Sequence, residues 1–364
     1  MIYFIIYIPF ILSCFLDTKR VRKKTKNLIC LFWVFILSLF WGLRWECGTD
    51  WDQFHDTYYL SQIHNIFTFD RGQNEPLEPG YVLINAIFNS FNLPYTIFLL
   101  ALSFCTLYLW MKFCLKYTEY PIISFIYFII SLGIFFPTRQ AVSMAILTLG
   151  YKYIINRSFF RFFTILLIAT SIHTSALFGL CLYLLPIFKL NKKVIALLYI
   201  TTFFIGNILP IVMNWLLGFL GGAGALIMVR LESYTQTVSS MGEDFSTRGT
   251  MSYLLSIFFI LSFIWKRYNK SINILIRSSF NGYIAMEMIK SIFANLMRDL
   301  MRLELFFRPC AAIMMSHLFG NNDRNKSAFI ISRSIFSCLM FYYFYKMLFG
   351  YFSDLYLPYK SIFL

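Results

Sequence analysis

Stretches close to the 17–25 or so mainly apolar residues that carry a helix across a bilayer recur along this whole chain. They centre on residues 2–16, 28–43, 94–111, 121–137, 140–156, 159–173, 175–188, 194–217, 251–265, 272–289, 303–319 and 328–349. The recurrence predicts an all-α polytopic integral membrane protein with about 12 transmembrane helices in a single transmembrane domain, 1–364. Composition agrees. The chain is 59% hydrophobic and 13% charged, where a soluble domain carries about 25% charged residues. Its 43 Phe and 24 Tyr suit lipid-facing helices ringed by aromatics at the interfaces. Residues 2–16 have no basic residue ahead of them and no small-residue cleavage site behind, so they read as a retained first helix rather than a signal peptide.

Lys and Arg placement orients the helices. The first connection, "DTKRVRKKTKN", is intensely basic and reads as cytoplasmic. Every second connection after it also carries Lys or Arg: "KFCLKY", "NRSFFR", "KLNKK", "WKRYNK" and "NNDRNK". The alternate connections are poorer in both, and two are long outer loops, 44–93 and 218–250. Both termini then lie outside. The net charge of +15 follows this positive-inside pattern, and nucleic acid is set aside as a partner.

The first outer loop holds "YVLINAIFNSFNLP" between Pro79 and Pro94. Asn85, Asn89 and Asn92 form one polar stripe on an apolar helix too short to span, so an interfacial or re-entrant helix is expected. The second loop, after "GGAG", offers another short surface helix around Arg230 and Tyr234. Eight Cys show no Cys-x-x-Cys spacing, so neither a metal centre nor a disulfide framework is expected. No Walker loop or G-x-G-x-x-G is present, and no cofactor is expected. An outward site without nucleotide access must draw on a donor already in the membrane.

Ionisable residues near bilayer depth are functional candidates by default. Arg139, in "FFPTRQAVSMA", stands at a helix start, where a positive charge opposes the dipole. It reads either as an interfacial anchor or as a ligand for an anion. Arg298 and Arg302, in "NLMRDLMRLELFF", lie one turn apart and suit phosphate oxygens, or form an ordinary ion-paired loop. His173, in "ATSIHTSALF", is a base, a diphosphate ligand or a hydrogen-bonded turn residue. The acids Asp50 and Asp52 in "GTDWD", and Glu75 and Glu78 in "NEPLEPG", concentrate in one outer loop although the chain has only 17 Asp and Glu. Asp50 also reads as a helix N-cap. Arg44 is expected to neutralise Glu46.

Outward arginines, carboxylates and a His suit transfer of a sugar from a lipid diphosphate. Arg139, Arg298 and Arg302 would neutralise the departing diphosphate. One of Asp50, Glu78 and His173 would take the acceptor's proton. A single displacement inverts the anomeric centre. Trp51, Tyr58, Tyr81 and Asn85 are candidates to contact sugars.

The chain resembles the EpsG-like and O-antigen polymerase (Wzy-type) proteins of bacterial polysaccharide assembly. The likeness rests on "GTDWDQF", "EPGYVLIN", "RQAVSMA", "HTSAL", "RDLMR" and "PYKSIF", in that order. It implies a multi-pass protein of the bacterial inner membrane, with its active site facing the periplasm. That protein would be a glycosyltransferase polymerising polyprenyl-diphosphate-linked oligosaccharide repeat units. Membrane lipids, a chain-length regulator and a flippase would be its partners. The resemblance carries to Asp50, Glu78, Arg139 and His173, and more loosely to Arg302, with Arg298 as its alternative. Two other classes compete: a transporter or flippase of lipid-linked oligosaccharide, which calls for mid-helix charges and an internal repeat, and a membrane O-acyltransferase, which calls for a His at mid-depth.

Overall fold

The computed structural model describes residues 1–48, 51–70, 76–132, 139–189, 192–219, 250–267, 273–293, 298–320, 325–350 and 353–363. Asp50, Glu75 and positions 220–249 of the second outer loop lie outside them. Among the described residues there is no β-strand, and only two isolated bridges, Arg44 with Ser361 and Asp70 with Pro76. The α-helices in chain order are α1 (Ile2–Leu12), α2 (Lys23–Gly42), α3 (Trp51–Leu60), α4 (Pro79–Ser90), α5 (Tyr95–Tyr117), α6 (Pro121–Ile130), α7 (Arg139–Leu149), α8 (Tyr151–Ile155), α9 (Phe159–Ile172), α10 (Lys192–Phe219), α11 (Thr250–Arg267), α12 (Ile274–Phe293), α13 (Arg298–Met301), α14 (Arg308–Gly320), α15 (Lys326–Leu348) and α16 (Ser353–Tyr356). The segments Ser13–Leu16, Thr174–Tyr183, Leu185–Ile187 and Arg302–Phe307 are 3-10 helix.

Among the described residues, each apolar run contains helix. Among the described residues, α2, α5 and α15 are long and apolar enough to cross a bilayer alone, and shorter apolar helices include α6 and α9. Helix and apolar run differ at their edges for a physical reason. Hydropathy marks what lipid solvates, whereas the backbone ladder continues through polar side chains. Thus α2 begins on Lys23, and α5 continues through Lys112 and Lys116 to Tyr117.

The chain divides into two compact units, Met1–Tyr183 with Ala312–Leu364, and Leu184–Ala311. In the first, α2 and α5 lie in direct contact. A Cβ on Gly42 would sit 2.6 Å from Leu100 Cα, so only glycine permits this approach. α1 joins them through the Trp41 indole N–H, which donates to Tyr7 Oη at 3.1 Å. At the Lys23 end of α2, the buried Asp17 carboxylate meets Lys26 Nζ at 2.7 Å and accepts the N–H groups of Ile122 and Ile123, at 2.8 and 3.1 Å. Asp17 thereby caps α6 from a different segment. Arg333 donates to Asp17 O at 2.7 Å and to the carbonyl of Phe319 near the end of α14. These bonds make one end of the unit a closed polar knot.

At the Gly42 end of α2 the chain turns into residues 43–48, which run beside residues 355–362. Trp45 N–H donates to Lys360 O at 3.0 Å, Gly48 N–H to Leu355 O at 2.7 Å, and Ile362 N–H to Leu43 O at 3.1 Å. Tyr359 stacks on Phe40 at 4.6 Å and donates its hydroxyl to the Phe40 carbonyl. The two ends of α2 are about 30 Å apart, at 1.5 Å per residue over 20 residues.

In the second unit, Gly206 of α10 lies against the Ser291 carbonyl of α12. Asn281 Nδ2 donates to Leu185 O and Phe188 O, at 3.0 and 2.9 Å.

Candidate active site

Three helix ends converge in the first unit: the starts of α4 and α7 and the finish of α9. The tripeptide Glu78-Pro79-Gly80 makes the convergence possible. Pro79 occupies the first turn of α4, where its missing N–H costs nothing. At Gly80 a Cβ would lie 2.7 Å from the Ser171 carbonyl of α9, so the glycine lets the two backbones approach. Glu78 sits at the N-cap position but does not cap its own helix. Its carboxylate turns outward from α4 to meet the other two ends.

One oxygen, Oε2, accepts a hydrogen bond from Arg139 Nη1, the first residue of α7. The other, Oε1, is 2.7 Å from His173 Nδ1, and it accepts the Thr174 N–H at 3.0 Å and the Thr174 hydroxyl at 3.3 Å. His173 lies where α9 gives way to the 3-10 helix from Thr174 to Tyr183. The Arg139 guanidinium lies 5.7 Å from the ring centres of both Phe54 and Tyr81, a cation–π arrangement that fixes its plane.

Burial alone would raise the Glu78 pKa. The His173 hydrogen bond, the Arg139 charge and the Thr174 N–H outweigh it and pull the carboxyl down to about 2. Glu78 is therefore an ionised anchor and a weak proton acceptor. In the neutral tautomer that donates Nδ1–H to Glu78, Nε2 is the nitrogen left to accept a proton. Among the described residues, His173 Nε2 has no partner, nor do Arg139 Nε and Nη2. The arrangement thus offers an open base and an open cationic fork, both held by one carboxylate. It can release an oxyanion and take a proton.

The remaining candidates fall elsewhere. Asp50 lies outside the described residues. Trp51 and Tyr58, on α3, and Tyr81, on α4, belong to an aromatic core with Phe54, Tyr95 and Phe98. The Tyr58 hydroxyl donates to Leu93 O at 2.6 Å, and the buried Asn85 amide to Tyr81 O at 2.8 Å. These rings are occupied in packing the floor beneath Arg139. Asn89 donates to Tyr59 O and Ser61 O, both at 3.1 Å, and so binds α4 to the end of α3. Arg298 opens α13, and the exposed Arg302 opens the 3-10 helix after it; both belong to the second unit. Glu46 pairs with Lys360 at 3.6 Å, while buried Arg44 donates to the Cys47 carbonyl at 3.2 Å. The expected Arg44–Glu46 pairing is thereby replaced, because the segment 355–362 brings Lys360 alongside.

Some contributors were not anticipated. Thr174 was legible as the residue after His173, but its role needs the turn geometry. Phe54 carries no sequence signal beyond its place one helical turn after Trp51. In the second unit, Arg308 chelates Glu304 through Nε, at 2.8 and 3.1 Å, and through Nη2. Lys290 adds contacts to Glu287 at 3.2 Å and to Glu304 at 4.0 Å. The i,i+4 spacing of Glu304 and Arg308 is a readable signal for that pair. Among the described residues no group of His, Cys, Asp and Glu is placed to hold a metal.

No curated protein and no solved structure matches the chain. The sequence pattern of the EpsG family does, from residue 27 in the first turn of α2 to residue 361 beside Arg44. With 27–361 of its 364 residues matched, the chain, an all-helical protein with bilayer-length apolar helices, belongs to the EpsG family.

Proposed function

We propose that this protein is a membrane glycosyltransferase that polymerises polyprenyl-diphosphate-linked oligosaccharide repeat units on the non-cytoplasmic face. Membership of the EpsG family suggests a polysaccharide-polymerase-type glycosyltransferase embedded in a membrane. The observation that carries the finer reading is the Arg139–Glu78–His173 network with its unpartnered guanidinium and imidazole nitrogens.

In the proposed reaction His173 Nε2 accepts the proton of the acceptor hydroxyl. That oxygen forms a bond to the anomeric carbon of the donor sugar. The bond from the anomeric carbon to the diphosphate oxygen breaks on the opposite side, with inversion, and the electron pair leaves on the diphosphate. Arg139 neutralises the charge that develops there, so the leaving group needs no proton. Glu78 holds the imidazole tautomer and the guanidinium plane and does not itself exchange protons. Arg298 and Arg302 are retained as proposed ligands of the diphosphate, and Asp50 as a proposed contributor to proton transfer. The sidedness rests on the charge pattern. The Lys-rich connection lies at the opposite end of α2 from residues 43–48, and Lys and Arg mark the cytoplasmic side.

The test is reconstitution. Purified protein in liposomes, supplied with lipid-linked repeat unit alone, is expected to lengthen it into polymer. Movement of the lipid between leaflets without lengthening would replace this reading with the transporter.

A further inference from the structure

Glu46, Gly48 and the start of α3 (Trp51, Asp52, Gln53), together with residues of 354–360, line a cleft of about 770 Å³. Its volume falls in the range of roughly 300–1,000 Å³ that small-ligand sites occupy. Glu46, Asp52 and Gln53 face it from one side, with Asp354 and Lys360 on the other. All five are exposed. Three carboxylates against one ammonium leave a formal charge of −2. The wall also includes Trp51, which is 94% buried; its indole N–H has no acceptor among the described residues. Trp51 stacks on His55 at 4.8 Å and meets Trp45 edge-on at 4.9 Å, so that donor is fixed in place.

The charge excludes a phosphate, a diphosphate or a uronic acid as the preferred occupant. A chelated metal is disfavoured as well, because among the described residues no three such ligands converge. Carboxylates spaced along a polar cleft, with an amide beside them and an indole in the wall, match the adjacent hydroxyls and the apolar ring faces of a sugar chain. Each carboxylate accepts from hydroxyl donors in charge-assisted bonds. Helix α3 contributes residues to both the cleft and the surroundings of Arg139. Asp52 and Gln53 line the cleft, while Phe54, the next residue of α3, lies under the Arg139 guanidinium.

We propose that this cleft is a glycan subsite that seats an uncharged oligosaccharide stretch of the substrate. Glu46, Asp52, Gln53 and Asp354 read its hydroxyls. The proposal rests on the polymerase reading, and it adds a division of labour. Arg139 attracts the anionic end of the lipid-linked substrate, and the acidic cleft accepts only its neutral sugars.

The experiment uses the full chain in liposomes and two probes. The first is the lipid-linked repeat unit; the second is phosphate-free oligosaccharide released from the host's own polymer. The double variant Asp52→Asn/Asp354→Asn alters two exposed side chains. It is expected to raise KM at least tenfold with kcat within twofold, and to lose calorimetric binding of the free oligosaccharide. Arg139→Lys is expected to lower kcat and leave oligosaccharide binding intact. Varying donor and acceptor concentrations separately assigns the KM change to the growing chain or to the incoming unit. Asp52→Trp, which fills the cleft rather than removing a contact, is expected to give the same KM change. Unchanged KM and unchanged binding in both variants would overturn the subsite and leave the polymerase standing. Tighter binding after removal of the two carboxylates would overturn it too. Oligosaccharide bound by the wild type, lost in the double variant and accompanied by no polymer would preserve the subsite and sink the polymerase.

Discussion

Arg139 spends one nitrogen on Glu78 and keeps the rest of its planar fork available. Lysine at that position preserves the charge and loses the fork. Arg139→Lys is expected to cut turnover roughly 10²–10³-fold, the usual cost of removing an oxyanion stabiliser, while detergent-solubilised protein melts within a few degrees of wild type. His173→Ala is expected to lose roughly 10²–10⁴-fold, the range for a general base, with partial recovery on adding free imidazole. Absence of recovery, with substrate binding weakened instead, would make His173 a diphosphate ligand. Glu78 gives a prediction in pH. Its folded pKa of about 2 lies below the ordinary 4.5. Its contribution to stability is therefore complete above 4.5 and is lost as pH falls toward 2. The wild-type melting temperature should drop between pH 5 and pH 2.5 more than that of Glu78→Gln, which should start lower. Glu78, Arg139 and His173 were each legible as unusual charges in an apolar chain. Their union on one carboxylate was not, because Glu78 is 61 positions from Arg139 and 95 from His173. No local pattern encodes a meeting at that separation. The sequence left Asp50, Glu78 and His173 as rival bases. Contacts from three residues hold the Glu78 carboxyl low, so the proposed reaction gives the base role to His173; the Thr174 contribution is invisible without the turn that follows His173.

Among the elements, α4 does most to assemble the site. Its start was readable from Pro79, and its short length from Pro94 and the Asn stripe. The reason for Gly80 appears only in the contact with α9. Gly80→Ala would place a methyl group against the Ser171 carbonyl, which cannot rotate away as the Ser171 hydroxyl can. The expected outcome is a shift of α4 that costs about 1–3 kcal/mol and, through displacement of Glu78, at least tenfold in turnover. Thermal melting and polymerisation assays check the two parts. Other elements departed from the pattern where hydropathy carries no information about backbone geometry. The apolar run 140–156 is divided at Gly150 into α7 and α8, and much of 175–188 is 3-10 rather than α. Helix α3 was anticipated only as a capped start at Asp50. Its ten residues mix acids with aromatics, and packing of Trp51, Phe54 and Tyr58 against α4 and α5 gives it stability that composition does not suggest.

On the scale of the molecule, exposed apolar side chains recur at helical spacing on α10 (Leu197, Ile200, Phe204, Ile208) and α11 (Leu254, Ile257, Phe258, Leu261). Such stripes belong against lipid. Sidedness is open to direct measurement. In a background with the exposed Cys105 and Cys338 replaced by serine, cysteine at the exposed positions Asp52 and Lys24 should respond oppositely. A membrane-impermeant maleimide should label Asp52→Cys in intact cells, and Lys24→Cys only after permeabilisation. The reverse pattern would put the network in the cytosol. The ladder between residues 43–48 and 355–362 bears on biogenesis. Phe40 and its stacking partner Tyr359 are 319 positions apart. At about 5–20 residues per second of synthesis, the second side of this ladder reaches the ribosome exit roughly 15–60 s after the first. A nascent chain therefore passes through insertion with Glu46 lacking Lys360, and the ladder closes only after residues 355–362 have been made.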